Sequence, residues 1–312
     1  MPELILHHYP LSPFSEKIRL ALGLKRLAWR SVLIESMPPR PELEPLTGGY
    51  RRTPVAQLGA DIVCDSLAIL RAIERLRPEP SLFPGGTEGL ATAIAWWWER
   101  TTWNAAVGLL GALIGDRFPE PFIRDRKESY LGYDMSKGAM LPLLPRNRQR
   151  LQAQMAWIAG MLADGRRFLL GTETPGMADL AVYQVLWLLR ANANPEVDRL
   201  LPMAPLLPWM ERIAALGHGT PTEMSRAEAL RVAAEARPAE ALGLGPAADL
   251  AGLAPGQRVT VTPDDNARVP VEGVLLGADA QEVVIRRTDP EAGELNLHFP
   301  RAGFDVVAAA AE

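Results

Sequence analysis

An α/β domain, then an all-helical domain, then a small all-β domain is the fold class that this 312-residue sequence predicts. Three observations predict it. Strand and helix patterns alternate over residues 1–83; every periodic segment over 87–236 has helical spacing; and five short β-branched runs follow residue 257. Nearly half the residues are apolar and charged residues are ordinary in number, which is a globular composition.

Leu4-Ile5-Leu6 is a short apolar run, and Ile18, Leu20, Ala21, Leu22 and Leu24 follow at roughly helical spacing, so the chain opens strand, turn, helix. Ser12-Pro13 makes a good helix start, because serine caps free amides and proline is pre-set for the first turn. Arg30 to Ile34 reads as a second strand and Pro38 to Gly49 as loop or short helix. Pro54 to Leu58 and Ile62 to Cys64 form a hairpin about Gly59-Ala60-Asp61, and a helix with Ser66 as its cap follows. The order βαβ then ββα is thioredoxin-like.

Pro78 to Gly86 reads as a break. Beyond it, Leu151, Met155, Ile158 and Leu162 mark one helical face, Pro175 to Leu189 another, Pro202 to Leu216 a third, and Thr222 to Ala236 a fourth, capped by Thr222. Residues 237–256 are rich in Ala, Gly and Pro and read as a linker. The runs after it predict a small antiparallel SH3-like barrel over 257–312.

Charge and composition exclude several classes. The formal net charge is −4, and residues 257–312 hold five arginines, no lysine and ten acidic residues, so a nucleic-acid module is disfavoured. The single cysteine, Cys64, precludes an internal disulfide and suggests a reducing, cytoplasmic setting. The N-terminus lacks a signal-peptide pattern, and no apolar stretch has the length to span a bilayer. His7, His8, His218 and His298 are scattered without ligand spacing, so no metal site is expected. Cys64, flanked by apolar residues in a strand, reads as a buried hydrophobe.

Four local patterns occur in order: Ser12-Pro13-Phe14-Ser15-Glu16-Lys17-Ile18-Arg19, Thr53-Pro54-Val55, Asp65-Ser66 before a helix, and Ala178-Asp179 opening a helix in the second domain. With them, residues 1–236 resemble a glutathione transferase of the serine type. The resemblance implies glutathione as co-substrate, a hydrophobic electrophile as second substrate, and a homodimer. It implies that Ser12 holds the glutathione thiolate, with Ser15 and Tyr9 as alternatives and a plain helix cap as the bland reading. A thiolate is stabilised by a hydrogen-bond donor and a helix N-terminus, so no general base is needed.

In the same frame a cis Pro54 would let the Val55 main chain pair with an extended peptide. Asp65 would take the γ-glutamyl ammonium and Ser66 its carboxylate. Arg52, with Thr53 beside it and Arg51 and Tyr50 before it, would lie near the glycyl carboxylate. Phe14, Trp97 and Asn104 are candidates for the electrophile pocket, although Trp96-Trp97-Trp98 fan too widely on a helix to share one face. Gly176 stands where the family carries Ser or Thr. The competing expectation is a non-catalytic member of this fold that binds or assembles through its barrel.

Overall fold

The computed structural model describes residues 3–240 and 242–310. The chain forms two compact units. The first contains the residues up to Ser15, Ala28–Ala72, and those from Thr220 onward; the second contains Glu16–Leu27 and Ile73–Gly219.

Along the chain, β1 (Ile5–His8) leads into helix α1 (Pro13–Leu24), followed by β2 (Ala28–Leu33), a one-turn helix α2 (Glu44–Thr47), β3 (Val55–Leu58), β4 (Asp61–Cys64) and α3 (Ser66–Leu76); the strands and α2 lie in the first unit. β1 is parallel to β2 and antiparallel to β3, which is antiparallel to β4. The thioredoxin-like expectation is met in that strand order.

Thr220–Glu223 forms a strand, β5, parallel to β2. The helix expected from Thr222 starts later, as α11 (Arg226–Glu235), once the second unit's helices are counted. The reason is a better cap: Ser225 Oγ accepts the Glu228 amide at 3.2 Å and the Glu228 carboxylate accepts the Ser225 amide at 2.9 Å. Thr222 is left pairing with Arg30.

The five C-terminal strands appear where the sequence places them: β6 (Arg258–Pro263), β7 (Val271–Ala278), β8 (Glu282–Asp289), β9 (Gly293–Pro300) and β10 (Phe304–Ala308). Within them β10 pairs antiparallel with β6, so the five run in the order β10-β6-β7-β8-β9. β9 runs parallel to β4, with Asp61 opposite Asn296 and Val63 opposite His298, and the result is one ten-stranded sheet in the order β10-β6-β7-β8-β9-β4-β3-β1-β2-β5. Residues 237–256, expected as a linker, are tied to it. The Ala239 amide donates to Asp61 Oδ2 at 2.8 Å and the Ala248 amide to the Ala278 carbonyl at 2.9 Å.

One hydrophobic cluster joins the two parts of this sheet. Ile5, Val32, Val55 and Ile62 pack in the same cluster as Ala229 and Ala233 of α11 and Val261, Leu275, Ile285, Leu297 and Phe299 of the C-terminal strands. Burying each large aliphatic or aromatic side chain contributes about 1.5–3 kcal/mol, so the strands after Arg258 are integral to the unit.

The second unit is helical: α4 (Glu88–Ile114), α5 (Glu120–Asp125), α6 (Lys137–Met140), α7 (Leu144–Leu162), α8 (Met177–Ala193), α9 (Glu196–Leu200) and α10 (Leu207–Ala214). The helix predicted over residues 202–216 is shorter, because Pro205 disfavours helical backbone in the residue before it; it runs Leu207–Ala214, with Pro208 in its first turn. α8 opens at Gly176, whose amide donates to Asp179 Oδ2 at 3.0 Å. Asp179 Oδ1 also accepts the Leu169 amide at 2.9 Å and Trp209 Nε1 at 2.8 Å, which knits three segments together. Buried Lys17 pairs with Glu99 at 2.6 Å, and Gln184 donates to the same oxygen at 2.8 Å. Among the described residues no helix is long and apolar enough to cross a membrane.

Candidate functional site

The sheet registers bring three of the predicted segments together. His7 of β1 lies opposite Val55 of β3, which lies opposite Cys64 of β4. The turn after β1, the approach to β3 and the exit from β4 therefore share one end of the sheet, and these carry Ser12, Thr53-Pro54 and Asp65-Ser66.

Ser12 sits just ahead of α1 and is a helix cap: its Oγ accepts the Ser15 amide at 3.2 Å, and its own amide donates to the Tyr9 carbonyl at 3.2 Å. It is only 1% exposed. Ser15 is fully buried, and its Oγ has no hydrogen-bond partner among the described residues. Tyr9 is half-buried.

The Thr53–Pro54 peptide bond is cis. Val55, whose main chain the resemblance assigns to a ligand, is buried at the start of β3, in register with His7 on one side and Cys64 on the other. Thr53 and Pro54 lie just ahead of the strand; Thr53 is half-buried, and its buried Oγ1 has no partner among the described residues.

Asp65 adopts φ 77°, a left-handed conformation that costs a non-glycine residue roughly 1–3 kcal/mol and gathers at functional sites. It, rather than Ser66, caps α3: Asp65 Oδ1 accepts the Leu67 amide at 2.9 Å and its carbonyl accepts the Ile69 amide at 3.0 Å. Ser66 is then the first helical residue, buried, with the helix N-terminus around it. Arg52 Nη1 lies 3.9 Å from Asp65 Oδ2. A carboxylate, a guanidinium and a capped helix start thus adjoin, a set that can hold both ends of a zwitterionic peptide.

Two residues that the sequence reading did not find join them. Asp265 and Asn266, from the loop between β6 and β7, hold the other face of Arg52: Nη2 donates to Asp265 Oδ1 and to the Asn266 carbonyl, and Nε donates to that carbonyl at 3.1 Å. Nothing local announces a contact across 213 positions. Arg51 is half-buried, and its carbonyl accepts Arg40 Nη1 at 2.8 Å. Tyr50 belongs to the core, its ring 5.8 Å from Phe299 and 6.3 Å from Phe304.

Of the electrophile-pocket candidates, Phe14 is half-buried in the first unit. In the second unit Trp98 is fully buried, and Trp97 packs against Trp98 and Trp157 at 5.8 and 5.5 Å. Asn104 is exposed and accepts the Tyr133 hydroxyl at 3.2 Å. Cys64 is buried, and desolvation followed by the Asp65 charge pushes its thiol well above the usual range. Among the described residues no group of three or more His, Cys, Asp or Glu side chains is placed to hold a metal ion.

Residues 6–81 match the glutathione S-transferase N-terminal domain and residues 142–213 the glutathione S-transferase C-terminal domain. The crystal structure of a GST-like protein from Pseudomonas syringae is 33% identical, covers 99% of this chain and 100% of that one, and superposes with a TM-score of 0.79. The chain belongs to the glutathione S-transferase superfamily. Coverage of that whole chain means that the strands after Arg258 are shared with a relative. A rice superfamily member solved with glutathione shares the fold at 19% identity, covering 71% of this chain and 92% of that one, with a TM-score of 0.51. Among curated proteins, FtsZ-localized protein A of Caulobacter vibrioides is 31% identical over 113 residues, 35% of this chain. The match spans 50% of that relative's length.

Proposed function

We propose that this superfamily member binds glutathione, or an anionic peptide like it, in the first unit, and that it works as a binding protein rather than as a thiol-transferring enzyme. Thr53, Asp65, Ser66 and Arg52 form the anchor, with Asp65 for the ligand's ammonium and Ser66 for its carboxylate. The observation that carries the non-catalytic half is the burial of Ser12. A hydroxyl that stabilises a substrate thiolate has to touch it, and at 1% exposure Ser12 offers no surface to do so. The C-terminal strands supply the surface for a protein partner, in keeping with a curated relative named for localisation to FtsZ. A homodimer is part of the reading, as is a cytoplasmic setting, which accords with the lone buried thiol.

The second reading is a glutathione transferase acting on a hydrophobic electrophile. It is favoured by one detail: Ser12 Oγ serves as acceptor toward the Ser15 amide, so its own proton remains to be donated to a thiolate.

Calorimetric titration with reduced glutathione, paired with turnover of an aryl halide by the full chain and by Ser12→Ala, separates the two. Binding without Ser12-dependent turnover is expected. Turnover that falls about a hundredfold or more in Ser12→Ala would establish the enzyme reading instead. Absence of glutathione binding would remove both.

A further inference from the structure

The loop over residues 264–270 joins β6 to β7 and is tethered from below rather than through the sheet. The Asp264 amide donates to the Gly303 carbonyl at 3.0 Å, Arg268 Nη1 donates to the Asp264 carbonyl at 2.9 Å, and Arg268 reaches Asp305 at 3.4 Å. At its tip, Asp265 and the Asn266 carbonyl take Nε and Nη2 of Arg52, whose remaining nitrogen faces Asp65. The guanidinium also lies 5.8 Å from the Phe304 ring centroid. An arginine presents its donors as a planar fork, and a carboxylate that engages one edge of the fork closes that edge to another. Here a carboxylate of the chain itself already holds it.

We propose that the β6–β7 loop is a built-in occupant of the ligand site, with Asp265 holding Arg52 in place of a ligand carboxylate, so that loop and anionic ligand exclude each other. This rests on the reading of the site as a glutathione-type anion site. The Asp265 side chain is 32% exposed against 14% for Arg52, so solvent reaches the pair from the aspartate side. Lifting Asp265 breaks no rung of the sheet, because β6 ends at Pro263 and β7 begins at Val271. Whatever draws the loop away must, by linkage, raise affinity for the anion.

The test is calorimetric titration of the full chain and of Asp265→Asn with reduced glutathione and with glutathione diethyl ester, in which both ligand carboxylates are masked. The variant is expected to bind glutathione about threefold to fivefold tighter, to bind the ester as the unaltered chain does, and to lose its advantage as salt is added. Asp265→Ser, a residue that turns accept, gives the same gain if the carboxylate is the cause. Equal glutathione affinity in all three proteins overturns the inference alone, as does an equal gain for the ester. Glutathione binding to none of them overturns the ligand reading and this inference with it.

Discussion

At the scale of single residues, Gly176 shows a local rule yielding to packing. A serine there would complete the capping box with Asp179 and add only about a few tenths of a kcal/mol over glycine. A β-carbon at that position, however, would lie 2.9 Å from the Leu82 carbonyl oxygen and 3.0 Å from Pro84 Cδ. Such crowding costs about 1–3 kcal/mol, so the clash outweighs the cap. Gly176→Ser is expected to lower the thermal midpoint, and a midpoint that rises would mean that the Leu82 backbone gives way at little cost. The Asp65-Ser66 pair was legible as a helix start, because short polar side chains before an apolar run announce caps. Which of the two caps was not, since that depends on the left-handed φ of Asp65, a property of the β4–α3 turn.

At the scale of elements, the seam between β4 and β9 is closed by a buried cluster. His298 Nδ1 lies 2.7 Å from Glu282 Oε1, and Nε2 lies 3.1 Å from Asp61 Oδ1, a geometry that a doubly protonated imidazole satisfies. Burial pulls the His298 pKa down, but the hydrogen bonds and charges of Asp61 and Glu282 outweigh it and the net shift is upward. The folded protein therefore holds this proton more tightly than the unfolded chain. The stabilisation is complete below the ordinary histidine pKa of 6.5 and is lost as pH rises through the raised value. His7, buried beside Gln57, runs the other way: desolvation lowers its pKa to about 4, so its contribution is whole above 6.5 and is lost as pH falls toward 4. Unfolding followed across pH should show the alkaline loss in the unaltered chain and not in His298→Gln. An unchanged alkaline limb in the variant would discount the cluster. Helices and strands were legible here from their periods, but β5 was not. Thr220–Glu223 has little strand character of its own and is extended because β2 offers it an edge.

At the scale of the whole molecule, what the sequence could not disclose is where the last five strands attach. Their number and order follow from β-branched runs and turns close together in the chain, whereas Asp61 meets Asn296 across most of its length, with no local signal. The attachment has an energetic consequence. Phe299 is fully buried, 5.8 Å from Tyr50 and 5.6 Å from Phe304, in the same cluster as Ile5 and Val55. Removing its ring is expected to cost about 3–5 kcal/mol, a large part of the roughly 5–15 kcal/mol that holds a typical protein folded. Because one cluster takes residues from β1–β4 and from β6–β10, the loss should be felt on both sides of the β4–β9 seam. Native-state hydrogen exchange of Phe299→Ala is therefore expected to show the amides of β1 and β3 losing protection together with those of β8 and β9. Loss confined to β6–β10 would mean that the C-terminal strands open as a module of their own. In that case the continuous sheet would not be one cooperative unit, and the β6–β7 loop could leave Arg52 only by opening with the module that carries it.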